Sequence, residues 1–447
     1  SKTVSCINGN GKLTEWFSTL LGVRQGDGVS PTLFNIFIND LALCIKQLNL
    51  GVKLVEEKVA ILMYDYDVAI IAENETDLQT LLHFVHQWCA KWHMKIDMSI
   101  SKVTNFRKQG KPRSEFAFKL GENSLQYVEK YTYLGVIFDE FLNLDPHTQA
   151  MTDSGKRALG AIIAKHRKLD GMGYETYTKA FETSIRPIIN YGSEVWGFIK
   201  DTKSEIVQMK AMKAFLGVHR FAANAAVEGD MGWYPNNIAR TLNVLRYWNR
   251  LVKLDEHRFT KRVFNFDYAA NRKGSWSRFV KNTLTDLGCG ELFTQKQVCD
   301  LDLCKTKLQE IYEKKWSVDL KKKPKLRTYV QIKDKFEVET YVKLNLEKHK
   351  KSLLAQLRTG VLPLHIETGR FQNKKLEDRL CNICNSGAIE TEYHFLFYCT
   401  YYKEEREHLY ASLQYQLGEC NSDNLHQLFE YNSRKLSKYV CTLFNKR

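Results

Sequence analysis

The sequence predicts an α+β front part over residues 1–140 and a mostly helical remainder carrying a small metal-binding segment near its end. Three observations predict it. β-Formers flank Asn8-Gly9-Asn10-Gly11, and Asn-Gly between such runs is a strong hairpin signal. From about Asp145 onward, apolar residues recur at helical spacing instead of alternating. The tail contains Cys381-x2-Cys384-x9-His394-x4-Cys399, three sulfurs and a nitrogen at a spacing that suits one ion.

Bulk properties narrow the class. A chain of 447 residues is long enough for roughly two to four domains, each with its own core. A hydrophobic content of 44% with only 7 prolines argues against extensive disorder. The net charge of +15, from 66 Lys+Arg against 51 Asp+Glu, favours a polyanionic partner, because neutralised phosphates release condensed counterions. No stretch approaches the ~20 apolar residues of a spanning helix and no signal peptide opens the chain, so no membrane partner is expected. The 11 cysteines are odd in number and sparse, which fits a reducing compartment better than a disulfide framework. An intracellular location, cytoplasmic and/or nuclear, follows. The chain opens Ser1-Lys2 within what reads as a strand and is expected to be part of something longer.

The elements follow in order. Residues 3–7 and 13–21 read as the arms of the first hairpin, and 22–30 as a loop. Ser30-Pro31 starts a helix with Ser as N-cap and Pro at the first helical position, continued by Leu33, Phe34, Phe37, Ile38 and Leu41. A second hairpin pairs 59–63 with 68–72 around Tyr64-Asp65-Tyr66-Asp67. Residues 74–94 form an amphipathic helix with Leu78, Leu81, Leu82, Val85 and Trp88 on one side. Short strands follow near 116–120 and 133–138. The helical remainder is broken at Gly171-Met172-Gly173, at 229–235 and at the lysine run 321–325, which reads as a solvated linker. No repeat of fixed period is present.

Gly22-Val23-Arg24-Gln25-Gly26-Asp27-Gly28-Val29-Ser30-Pro31-Thr32-Leu33-Phe34 is a Gly-rich loop feeding a helix N-terminus, a geometry that suits backbone approach to phosphates. After it come the aspartate hairpin, then Trp88-Cys89-x-Lys91-Trp92-x-Met94-Lys95-Ile96, then Tyr131-x-Tyr133-Leu134-Gly135. In this order the four segments resemble consecutive palm motifs of the reverse transcriptases (RNA-directed DNA polymerases) of LINE-type non-LTR retrotransposons. The resemblance implies a partial palm over 1–140, a helical thumb and connector over 141–355, and a CCHC zinc segment over 356–447. It implies that Gln25 and Gly26 pack against template and incoming nucleotide, and that Lys102 sits near the triphosphate. Tyr133, Leu134 and Gly135 would form the hairpin gripping the primer end. Ile185-Arg186-Pro187-Ile188-Ile189-Asn190-Tyr191-Gly192-Ser193-Glu194-Val195-Trp196-Gly197 resembles the family's thumb and connector, where the aromatics are expected in the core.

The chain departs from the family at the catalytic hairpin. Members read Tyr-Ala-Asp-Asp where this chain reads Tyr64-Asp65-Tyr66-Asp67. Tyr66 replaces a metal-ligating aspartate, Asp67 is kept, and Asp65 is one residue out of register, which in a strand would point it to the opposite face. Two-metal phosphoryl transfer needs carboxylates at fixed positions, and a neutral phenol is a poor ligand for Mg²⁺. The family's other metal-binding aspartate lies on an earlier strand, upstream of the position of Ser1. The expectation is a chain that does not polymerise DNA, although the family uses Mg²⁺.

In the tail, Cys381, Cys384, His394 and Cys399 offer four protein ligands, hence a closed structural Zn²⁺ site. Arg358, Arg370, Lys374, Lys375 and Arg379, interleaved with Phe371, Tyr393, Phe395 and Tyr398, read as a surface for RNA and/or DNA. Two functions follow: a reverse-transcriptase-derived fragment that binds nucleic acid without polymerising, or a host-retained, non-enzymatic protein that binds through the zinc tail. A decayed element without function is the third reading.

Overall fold

The computed structural model describes residues 3–19, 22–23, 26–54, 56–413 and 422–447. Arg24 and Gln25, named above, lie outside them. The chain forms two compact units, Ser1–Asn143 and Leu144–Arg447.

The front unit is built from short antiparallel pairs and two helices. Strand β1 (Thr3–Ser5) pairs with β4 (Phe17–Thr19), enclosing the smaller pair of β2 (Asn8–Gly9) and β3 (Lys12–Leu13). Helix α1 (Ser30–Gln47) begins at the expected serine, but the cap position falls one residue earlier. There the Asp27 carboxylate accepts the Val29 N–H at 2.9 Å. Strands β5 (Val52–Leu54) and β6 (Glu57–Val59) precede the aspartate hairpin, β7 (Ile61–Tyr64) with β8 (Asp67–Ile70). Helix α2 (Glu75–Lys91) starts where the sequence placed it: the Asn74 side chain accepts the Asp77 N–H at 2.8 Å and satisfies an orphan donor.

Two small cores share α2. Leu81, Val85 and Trp88 pack with Ile38, Leu41 and Ile45 of α1, while Leu82 packs with Val103, Phe118 and Leu120. The second core lies under β9 (Lys102–Val103), β10 (Lys119–Leu120), β11 (Asn123–Ser124) and β12 (Gln126–Tyr127), with β12 parallel to β9. The strand expected over 133–138 is instead a hairpin, β13 (Lys130–Tyr133) with β14 (Val136–Asp139). Leu134 and Gly135 both take positive φ, 49° and 76°, as a two-residue hairpin loop requires.

The rear unit is helical. It opens with α3 (Asp145–Lys168), α4 (Tyr174–Ser184), α5 (Arg186–Ile189), α6 (Ser193–Trp196), α7 (Lys203–Leu216) and α8 (Asn224–Met231). Next are α9 (Asn236–Lys253), α10 (Phe259–Ala270), α11 (Trp276–Asp286), α12 (Gly290–Thr294) and α13 (Leu301–Lys321). The chain ends with α14 (Tyr329–Ile332), α15 (Thr340–Lys343), α16 (Lys348–Arg358), α17 (His365–Phe371), α18 (Lys403–Leu413), α19 (Ser422–Tyr431) and α20 (Ser433–Lys446). Among the described residues, no helix is long and apolar enough to cross a membrane.

The motif over 185–197 is packed in part: Ile185, Ile189 and Trp196 are buried, whereas Tyr191, expected in the core, and Val195 are exposed. Trp196 is buried with its indole N–H donated to the Tyr191 carbonyl at 2.7 Å, and Asn190 exchanges side-chain hydrogen bonds with Asn236 at 2.7 and 2.9 Å. Residues 321–324 of the lysine run are exposed, as expected of a solvated segment, but its end is drawn into the fold. Leu326, in the 3₁₀ turn Pro324–Leu326, is fully buried, and Lys325 pairs with Glu367 at 2.5 Å. The apolar residue closing the run draws the turn inward.

Arg358 is also corrected: it is no surface contact. It lies fully buried at the end of α16, its Nε and Nη2 donating to Asp230 of α8 at 3.0–3.1 Å, with Glu339 at 3.1 Å. The Tyr341 hydroxyl donates to the same Asp230 at 2.6 Å. Burial would lower the Arg358 pKa, but the Asp230 and Glu339 carboxylates outweigh it and hold the guanidinium charged. Removing one partner would strand the other charge in the core. Arg358→Ala is therefore expected to cost about 3–5 kcal/mol in urea unfolding of the rear unit, whereas Arg358→Met with Asp230→Leu should recover most of it. Equal losses in both variants would contradict this account.

Candidate functional sites

The front site centres on the β7–β8 hairpin. Tyr64 faces Asp67 across the last rung, leaving Asp65 and Tyr66 as the turn. Asp65 takes a left-handed backbone, φ 53°, which an aspartate tolerates. The strand-face argument for Asp65 therefore does not apply; its displacement comes from the turn. Tyr66 is 73% exposed at the tip. Asp67, on β8, is half-buried and faces the second hairpin closely enough to act on it: burial first, and then the Asp67 carboxylate, push the Tyr133 phenol up.

The Asp67 carboxylate thus lies within electrostatic reach of the Tyr133 phenol. Lys102 is held elsewhere, its ammonium donating to Gln126 Oε1 at 3.2 Å across the β9–β12 pair. Gly26 takes φ 87°, which favours glycine, with open space where a Cβ would stand. The hairpin therefore presents one carboxylate on a strand, one in a turn and a phenol between them.

The rear site is a Cys₃His cluster. One sulfur or nitrogen from each of Cys381, Cys384, His394 and Cys399 lies within 4.8 Å of all the others. A tetrahedron with metal–sulfur bonds of ~2.3 Å has edges of about 3.8 Å, so the four donors fit around one ion with small adjustment. The backbone builds this locally. After Cys384 the chain turns through Asn385 and Gly387, at φ 52° and 71°. The Ser386 hydroxyl sits 3.0 Å from Cys384 Sγ, and His394 Nε2 lies 3.4 Å from the same sulfur. A single π-helical turn over His394–Tyr398, closed by Cys399 N–H to the His394 carbonyl at 2.8 Å, turns His394 and Cys399 to one side.

The thiols differ. Burial pushes Cys381 up and Cys399 up to about 12. Burial opposes ionisation of Cys384 too, but hydrogen bonds from Ser386, Cys381 and His394 prevail and bring it to about 6. A divalent ion would supply the missing charge that lets all three bind as thiolates.

Two acids that motif reading passed over anchor this loop. Glu390 pairs with Arg447 at 2.6 Å and accepts the His365 N–H, also at 2.6 Å. Glu392 pairs with Arg327 at 2.5 Å. Both acids are buried. Their only sequence signal is position between the second cysteine and the histidine. Of the expected contact surface, Arg370, Phe371, Lys374, Lys375 and Tyr398 are exposed, with Arg370 paired to Glu367 at 3.3 Å, whereas Phe395 is core. Arg379 is spent on the Lys374 and Ile366 carbonyls.

Protein purified without chelator is expected to carry one equivalent of a thiophilic divalent ion by elemental analysis. His394→Ala should weaken its retention by more than ~10-fold, the lower bound for losing even an outer partner of a ligand. Cys441→Ser, buried outside the cluster, should not. Metal near zero in the unmodified protein would refute the site.

Comparison with known proteins bears on the front unit. Residues 2–138 match the family described as reverse transcriptase (RNA-dependent DNA polymerase). The chain is similar to the RNA-directed DNA polymerase from mobile element jockey of Drosophila funebris, at 25% identity over 47% of this chain and 23% of the relative. The Drosophila melanogaster jockey polymerase is 23% identical over the same shares. A probable RNA-directed DNA polymerase from transposon BS of Drosophila melanogaster is 21% identical over 52% of this chain and 26% of the relative. The chain spans about a quarter of the length of the curated relatives it matches. Through these matches the chain is related to the RNA-directed DNA polymerases of non-LTR retrotransposons, and its residues 2–138 belong to the reverse transcriptase family.

Proposed function

We propose that the chain is an RNA- or DNA-binding protein of reverse-transcriptase descent whose β7–β8 hairpin no longer serves a two-metal polymerase centre. The observation that carries this reading is Tyr66 at the hairpin tip, beside a single strand-borne carboxylate, Asp67. Two Mg²⁺ ions roughly 3.5–4 Å apart need several carboxylates in fixed positions to hold both attacking and leaving oxygens. A phenol supplies neither the charge nor the preferred oxygen. Asp65 is poorly placed to replace it, since reaching the Tyr66 position would mean rebuilding the turn. Gln25, Gly26, Lys102 and the Tyr133-Leu134-Gly135 turn then keep contacts to template and primer without completing a reaction.

In the tail, Cys381, Cys384, His394 and Cys399 hold structural Zn²⁺. Sulfur and imidazole donors in a closed four-ligand set are what that ion selects. Its contribution is to fold and orient the loop that presents Lys374, Lys375 and Phe371. The excess of 15 positive charges supports the polyanionic partner.

The test is a titration of labelled single-stranded and primed-template RNA at several salt concentrations. Affinity is expected to fall steeply, by ~0.7 in log–log slope per phosphate neutralised on a single strand. Binding should be unchanged when Mg²⁺ is replaced by EDTA, and nucleotides with Mg²⁺ should extend no primer. Absent or salt-independent binding would reject the nucleic-acid reading. Template-directed extension would reject the loss of catalysis.

A further inference from the structure

A cleft of about 1140 Å³ runs along α7 in the rear unit, bounded by the end of α3 and the starts of α8 and α16. Its mouth carries Arg167, Lys210, Arg220 and Lys348. Among the described residues none of these four joins an ion pair, unlike Arg240 and Lys325 nearby, which are committed to carboxylates. Asp170, Glu205 and Glu228 also line the cleft, so it is the four cations without an ion pair, and not the lining as a whole, that would draw an anion to it.

The floor has the opposite character. Gln208 is almost fully buried there; its amide N–H donates to the Tyr234 carbonyl at 2.7 Å and its Oε1 has no partner. Glu228 accepts the Tyr312 hydroxyl at 2.7 Å, and burial pushes its carboxyl up to about 7. Beside the mouth, Phe221 is 55% exposed, with the Arg220 guanidinium 4.7 Å from its ring centre and the His219 ring 4.9 Å away.

Cations at the rim, an exposed aromatic beside them and hydrogen-bond acceptors below match one ligand chemistry. Phosphates meet the rim, a base can stack on Phe221, and the N–H donors of a base edge suit the floor. An acidic peptide matches only the rim, since the carboxylates of Glu205 and Glu228 also line the cleft. A duplex keeps its base edges stacked away from such a floor. We propose that this cleft binds a short stretch of single-stranded RNA or DNA, with phosphates on Arg167, Lys210, Arg220 and Lys348 and a base on Phe221. The proposal rests on the reading of the chain as a nucleic-acid-binding protein and assigns that binding to a place outside both motif sites.

The test uses the full chain and a labelled single-stranded oligonucleotide of mixed sequence, followed by anisotropy across a salt series. Lys210→Ala with Arg220→Ala is expected to weaken binding about tenfold at low salt. It should also make the log–log slope shallower by about 1.4, two contacts at ~0.7 each. Phe221→Ala should cost roughly fivefold with little change in slope, since stacking releases no counterions. Unchanged far-ultraviolet circular dichroism in each exposed-residue variant would exclude misfolding. Wild-type binding that survives the cleft variants, while Lys374→Glu with Lys375→Glu abolishes it, would overturn the cleft and leave the broader reading standing. No wild-type binding at low salt would overturn both. Polyglutamate or duplex DNA competing as well as the unlabelled strand would reduce the cleft to a general anion surface and overturn the assignment.

Discussion

Three thiols and an imidazole with donor atoms within 4.8 Å of one another cannot all take their binding form without a cation among them, and they are built into the wall of the rear unit's core. Cys381 and Cys399 belong to the same buried cluster as Leu159 of α3, Phe215 of α7, Leu354 of α16 and Val440 of α20. Phe395, Leu396 and Phe397, between the last two ligands, enter that cluster as well. The Tyr439 hydroxyl of α20 donates to the Leu396 carbonyl at 2.5 Å. The ligand loop is therefore part of the packing that holds early and late helices of this unit together. Its order and that of the surrounding helices are one thermodynamic quantity.

The front unit works under a different constraint. Its cores are small and lie under two-stranded pairs, so its shape depends on turns more than on burial. Both turns that matter carry non-glycine residues at positive φ, Asp65 and Leu134. Leucine pays for that conformation, of order 1–3 kcal/mol for a strained backbone, only where surrounding contacts over-determine the turn.

How much of this was legible in the sequence depended on range. The β7–β8 hairpin, the start of α2 and the Cys/His spacing were readable because each is set within a few residues. The residue pattern over 133–138 read as a strand, since Leu134 is a poor turn residue by type; the hairpin at Tyr133-Leu134-Gly135 came only from the family resemblance. Arg358 looked like a phosphate contact because its partner Asp230 lies 128 residues away. The lysine run was read as solvated, and residues 321–324 are; what nothing local marked is Leu326, just beyond the run, as core. The α7 cleft left no motif at all, since Arg167, Lys210, Arg220 and Lys348 converge only after four helices have packed.

The central claim, that the Cys₃His loop is integral to the rear core and not an appended module, is tested most directly by hydrogen exchange with and without a strong chelator. Metal removal is expected to lower protection over 381–402 and, in the same transition, in α16, α20 and the buried face of α7, with the front unit unchanged. Loss of protection confined to 381–402 would contradict the claim.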